Sequence, residues 1–282
     1  MPPEPLDLLH LGRERVIGCY LLDTEDGPAL FDCGPASSVD TLKALLGERG
    51  LALADLRHLL LSHIHLDHAG AAGVLVREHP GLQVHVSEIG APHLVDPEKL
   101  IASALRLYGE TLESLWGEIA PVPQANVHVV GERVLGLDSF PTPGHASHHV
   151  SYLDPDGTLY AGDAAGVRII PGRSVLPPTP PPDVDVDGWH ATVERIRSWD
   201  PDRLTLIHFG VFEDVERHLG ELERRLDAWT ERVSRGVSEQ EFVEATLAEL
   251  GAEHADVYTQ AMPLEQSYAG LKRYVEKRAE AA

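Results

Sequence analysis

The segment Leu59-Leu60-Leu61-Ser62-His63-Ile64-His65-Leu66-Asp67-His68 constrains this chain more than any other. A short apolar run reads as a buried strand, and it leads directly into four side chains able to bind a metal: His63, His65, Asp67 and His68. A turn that follows a strand aims alternate side chains into one cleft. His63 and His65, two residues apart, can then share one ion, while Asp67 and His68 turn towards a second. Three imidazoles with a carboxylate suit Zn²⁺, and Fe²⁺ and Mn²⁺ are served by the same donor types. The fold must therefore hold a strand end open at a cleft.

The flanking pattern predicts layered α/β architecture. Val16 to Leu22 and Ala29 to Phe31 are apolar runs around Thr24-Glu25-Asp26-Gly27, a hairpin signal. Val39 to Arg49 has helical spacing with Gly50 as a stop, residues 69–79 read as a helix, and Gln83 to Val86 as a strand. Residues 88–120 interrupt the alternation with a long helical pattern, read as an inserted cap. Strand patterns return at Val127 to Val130, Val134-Leu135, Ser151 to Leu153, Thr158 to Ala161 and Leu204 to Ile207. Asp187 or a neighbour should cap a helix running to Trp199. From Val211 onward the pattern is helical, with Ser238 and Glu241 placed as a capping box. Pro177-Pro178-Thr179-Pro180-Pro181-Pro182 is a stiff connector and, within the loop 171–183, a candidate pocket wall with Val175 and Leu176. Its loss is expected to change substrate preference and leave metal content intact.

Charge narrows the function. The formal net charge is −22, which repels phosphate backbones and anionic lipid and disfavours nucleic acid and membrane surfaces as partners. No apolar run is long enough for a membrane span, and the start lacks the pattern of a signal peptide, so a cytoplasmic location is expected. Cys19 and Cys33 read as buried thiols on neighbouring strands, with a cross-strand disulfide as the alternative.

The His63–His68 string resembles the signature of the metallo-β-lactamase superfamily of metal-dependent hydrolases. Thr142-Pro143-Gly144-His145, Leu159-Tyr160-Ala161-Gly162-Asp163 and Leu206-Ile207-His208 follow in the order that family's pattern asks for, each after an apolar run. The resemblance covers about residues 10–210. It implies an αββα sandwich with the site along one edge. The chain then reads as one domain over 1–282, with a helical insert at about 88–120 and C-terminal helices at about 211–282. It also implies that His63, His65 and His145 hold one metal, that Asp67, His68 and His208 hold another, and that Asp163 bridges the two. Asp32 and His149 would support these ligands from outside. His93, Arg168 and Tyr108 are candidate substrate contacts, and Trp116 a further apolar wall. His10, His58, His85, His128 and His218 are read as structural.

The implied activity is hydrolysis of a small ester, lactone, thioester or phosphodiester by a metal-bridging hydroxide, with two divalent ions as cofactors and Asp67 orienting the nucleophile. An Asp at position 163 argues against the branch with a Cys ligand there and is similar to the glyoxalase II and lactonase-like branch. Gly166 stands where acyl-homoserine lactonases of the superfamily carry a Tyr, and the acidic tail lacks the basic residues that glutathione thioesterases use. A persulfide dioxygenase-like oxidoreductase with one iron, and a non-catalytic metal-binding protein, are the alternatives. A small-molecule substrate is the expected partner, and the C-terminal helices offer a face for a homodimer.

Overall fold

The computed structural model describes residues 2–169 and 174–281. Two six-stranded sheets form its centre. The first runs β1 (Pro5–Asp7), β2 (Gly18–Thr24), β3 (Gly27–Phe31), β4 (His58–Leu60), β5 (Gln83–Val86), β6 (Val127–Val129) in spatial order. Its first two pairings are antiparallel and the other three parallel. The second contains β7 (Arg133–Val134), β8 (Leu137–Pro141), β9 (Val150–Leu153), β10 (Thr158–Tyr160), β11 (Arg203–Leu206) and β12 (Gly210–Phe212). It is antiparallel except where β10 meets β11.

Aromatic residues join the sheets face to face. Phe31 of β3 meets Tyr152 and Tyr160 of the second sheet, at ring separations of 5.9 and 5.3 Å. The Tyr20 hydroxyl donates to the Leu206 carbonyl at 2.8 Å, and the Tyr152 hydroxyl to the Leu61 carbonyl at 2.8 Å. Each buried phenol thus finds a backbone acceptor, as burial of a polar tip demands. Full burial of such side chains contributes on the order of 2 kcal/mol each.

Helices cover the outer faces. On the first sheet these are α1 (Val39–Glu48), α2 (Leu66–Ala69) and α3 (Ala72–Glu78). The insert follows as α4 (Ala91–Val95), α5 (Glu98–Tyr108) and α6 (Leu112–Trp116), without a strand. The second sheet is backed by α7 (Val186–Trp199) and α8 (Val215–Ser234), whose Trp189, Ile196, Leu222 and Trp229 enter a second buried cluster. The chain ends with α9 (Glu239–Leu250), α10 (Ala252–Ala261) and α11 (Leu264–Ala281). The αββα layering expected of the resemblance is present, as are the helical insert and the helical extension.

Several local expectations change. β12 occupies 210–212, where the pattern reads as helix; Gly-Val-Phe is too short to show a period, and pairing with β11 (Leu204 with Phe212) makes it a strand. β1 lies before residue 10 and pairs with β2. The helix expected over 69–79 is two helices that break beside Gly70, whose Cα packs so closely that a Cβ would lie 2.3 Å from the Leu66 carbonyl oxygen. Asp185 caps α7 by accepting the Gly188 N–H, and Ser238 with Glu241 forms the expected capping box on α9. Cys19 and Cys33 are buried free thiols, so the disulfide alternative is not realised.

Candidate metal centre

The donors come from loops at the ends of β4, β8, β10 and β11, along one edge where the two sheets meet. His63 Nε2 lies 2.9 Å from His65 Nδ1 and 3.2 Å from His145 Nε2, and the last two are 2.9 Å apart. Three imidazole nitrogens thus face one point. The edge of a tetrahedron around an ion with bonds of about 2.0–2.1 Å is roughly 3.4 Å, close to these separations. A second set joins Asp67, His68 and His208, with Asp67 Oδ2 at 3.3 Å from His208 Nε2 and 3.7 Å from His68 Nε2. Asp163 lies between the sets. Its Oδ1 is 3.4 Å from His68 Nε2 and its Oδ2 3.4 Å from His145 Nε2, so one oxygen addresses each group.

Outer hydrogen bonds select which nitrogen each ring offers. Asp32, fully buried, accepts from the Ser62 N–H and hydroxyl at 2.7 Å each, and from His68 Nδ1 at 2.8 Å. The Ser62 oxygen in turn accepts from His63 Nδ1 at 2.9 Å. His145 Nδ1 donates to the Pro178 carbonyl and His208 Nδ1 to the Val16 carbonyl, at 2.7 and 2.5 Å. Each of these rings therefore turns a lone pair on Nε2 towards the centre, the arrangement that metal-binding histidines require. His149 takes its place through Nδ1 to Thr142 Oγ1 and accepts the Asp163 N–H on Nε2.

Among the buried polar atoms of the described residues that lack a hydrogen-bond partner, two stand at this centre, His68 Nε2 and Asp163 Oδ1. Sealing such atoms in protein is costly unless something binds them. They are donors of the second set and of the bridge, so the residues fit a pair of cations. Ionisation agrees. Burial, then neighbouring imidazoles, push His63 and His65 well below the ordinary histidine value, leaving neutral ligands. Burial also opposes charge on His68 and His208, but Asp163 and Asp67 overcome it and raise both. The two carboxylates are lowered in return, His68 and His208 outweighing their desolvation.

A cavity of about 470 Å³ opens onto this centre, lined by His65, Asp67, His145, Asp163 and His208 among the ligands. The insert supplies Leu100, Ala104, Leu107, Tyr108 and Trp116, and the Pro-rich loop supplies Pro178 and Pro180 to Pro182. The C-terminal helices add Gln260, Met262, Pro263 and Gln266, although the sequence marked no such role for them. His93 lines the cavity as well.

Arg168 does not line it. Its guanidinium forms a two-pronged pair with Asp214 at 2.6 and 3.0 Å and lies over Phe212. Its backbone brackets the His208 loop, donating to the His208 carbonyl and accepting from the Phe209 N–H. Val175 and Leu176 are fully buried in the second core, drawn there by the bridge between Val167 and Leu176, and are not cavity walls. Residues 171–173 of the loop lie outside the described residues. The Pro178 carbonyl accepts from His145 Nδ1, so this stretch of the loop touches one of the candidate ligands. His10, read as structural, is a cavity residue.

The layering and the cluster of His and Asp along one edge define an αββα sandwich with a candidate metal centre. The chain belongs to the metallo-beta-lactamase superfamily, whose family model matches residues 12–208. It is similar to the protein YobT of Bacillus subtilis, 31% identical over 156 residues, covering 54% of this chain and 63% of YobT. It is also similar to the metallo-beta-lactamase fold-containing protein ST1585 of Sulfurisphaera tokodaii, 26% identical over 72% of this chain and 77% of that protein. The crystal structure of ST1585 superposes with a TM-score of 0.65 over 92% of this chain and 93% of that one, at 22% identity. An N-acyl homoserine lactonase from Bacillus sp is 27% identical over 54% of this chain and 60% of the lactonase. TTHA1623, solved in a di-iron-bound form, has a TM-score of 0.54 and 26% identity over 74% of this chain and 93% of that one.

Proposed function

We propose that this protein is a dinuclear metal-dependent hydrolase of small acyl compounds, esters and lactones foremost, whose substrate carries an apolar arm. The observation that supports this reading is the convergence of the seven candidate ligands, five of which line a largely apolar cavity. Two divalent ions there, Zn²⁺ by donor type with Fe²⁺ or Mn²⁺ as alternatives, supply Lewis acidity that polarises a carbonyl and acidifies water towards neutral pH. His63, His65 and His145 would hold one, Asp67, His68 and His208 the other, with Asp163 across both. Asp67 is the most exposed of the three carboxylates near the centre and lines the cavity. It is the residue we assign to orient the attacking water and accept its proton. The lactonase and the di-iron protein support substrate class and metal number in turn. A phosphodiester fits less well, since Lys99 is the one Lys or Arg among the described cavity residues and Asp183 lines the cavity too.

The test combines metal analysis with a hydrolysis screen over lactones, aryl esters, thioesters and phosphodiesters. The expected result is two ions per chain and acyl hydrolysis that falls at least about a hundredfold in Asp67→Ala. One iron per chain with oxygen uptake would replace this reading with the dioxygenase. Metal binding without turnover on any member would leave a metal-binding protein.

A further inference from the structure

His10 is buried where the local sequence gives no reason to bury it. It belongs to Leu8-Leu9-His10-Leu11-Gly12, and Leu9 and Leu11 are 44% and 54% exposed while His10 is 4% exposed. An apolar segment ordinarily turns its leucines inward. Here Leu9 and Leu11 adopt left-handed φ angles of 46° and 53°, conformations that disfavour a leucine, and the imidazole points in. Leu9 is left exposed, and Leu11 lines the cavity beside the ring.

Its surroundings fix it in one orientation. The ring stacks on Trp116 of α6, centroids 5.3 Å apart and planes 13° from parallel. Trp116 is braced edge-on by Tyr108, at 5.2 Å. Neither ring nitrogen of His10 is hydrogen-bonded to a described residue, and Nδ1 is sealed from water. Nε2 is then the nitrogen that meets the cavity. A sealed lone pair is less unfavourable than a sealed N–H, so the proton belongs on Nε2. Asp67 and His208, two of the three candidate ligands of the second set, line the same cavity.

We propose that His10 is a substrate-contacting residue: its Nε2–H donates to a carbonyl oxygen of an uncharged acyl compound whose apolar arm lies along Trp116, Tyr108 and Leu107. The contact rests on the hydrolase reading for the identity of the natural ligand, and not for its existence. It gives the apolar cavity a fixed polar point beside the reacting centre, the combination by which a small-molecule site sets orientation.

The test uses the full chain as purified and 1-octyl-2-pyrrolidinone, an uncharged lactam with an alkyl arm and an acceptor oxygen. Binding is followed by calorimetry and tryptophan fluorescence in wild type, His10→Phe, which keeps an aromatic ring on Trp116, and His10→Gln, which restores an N–H donor. Metal content is measured in each. The expected result is a loss of affinity of about tenfold in His10→Phe with metal content unchanged, and partial recovery in His10→Gln. Equal binding by wild type and His10→Phe, or no binding by wild type at millimolar lactam, overturns the proposal. Binding that depends on His10, without hydrolysis of any ester, keeps this contact and removes the hydrolase reading. Ester hydrolysis indifferent to His10→Phe does the reverse.

Discussion

Asp32 shows how much one buried carboxylate does at the centre. It accepts the Ser62 N–H, the Ser62 hydroxyl and His68 Nδ1, and through Ser62 it also sets His63. Asp32→Ala should weaken metal binding about 10- to 100-fold, read by competition with a chromophoric chelator. The histidines predict an acid–base signature for the metal-free chain. His63, His65, His145 and His149 are lowered below 6.5, so the unfolded chain protonates first and stability is lost as pH falls below that value. His68 and His208 are raised above 6.5, so their stabilisation is complete below it and is lost as pH rises through their folded values. Urea titrations of metal-stripped protein from pH 5 to 8.5 should therefore peak near 6.5, and a monotonic profile would contradict this balance. All seven candidate ligands were legible as residues because each stands in a short string after an apolar run. His10 was not, since nothing adjacent in sequence marks a histidine whose role comes from Trp116.

Among the elements, α11 and the Pro-rich loop are closely packed near the centre. A Cβ at Gly270 would lie 2.0 Å from the Thr179 carbonyl oxygen, and Thr179 Oγ1 donates to the Ser267 carbonyl. Thr179 follows Pro178, whose carbonyl orients His145. Gly270→Ala should thus destabilise the chain by about 1–3 kcal/mol in urea unfolding and weaken metal binding as well. Unchanged metal affinity with normal stability would show that the loop tolerates displacement. Strands and helices of ordinary length were readable from periodicity, as with the β2–β3 hairpin and α7. β12 and β1 were not, because Gly-Val-Phe and Pro-Leu-Asp carry no apolar run of strand length and become strands by pairing with β11 and β2. The insert was readable as helical, but its placement at the cavity depends on packing of α5 and α6 that no local pattern encodes.

At the scale of the whole molecule, the centre joins the two sheets: His63, His65, Asp67 and His68 follow the first, and His145, Asp163 and His208 belong to the second. Ions bound there stabilise only the folded chain. With free metal a thousandfold above Kd at one site, the gain is about 4 kcal/mol, or roughly 10 °C in Tm for a chain of this size. Chelation should lower Tm by that order in calorimetry, and an unchanged Tm would mean the sheets need no metal to stay joined. Among the described residues no helix is long and apolar enough to cross a membrane. The sequence by itself determined the layered α/β class and marked the candidate donors, because a strand that ends in a turn rich in His and Asp is a local device. Only the tertiary structure decided the cavity. Its walls come from residues around 10, from 93–116, from 178–183 and from 259–267. An apolar side chain facing a cavity and one facing the core carry the same signal in sequence, and their difference is made only when distant segments pack.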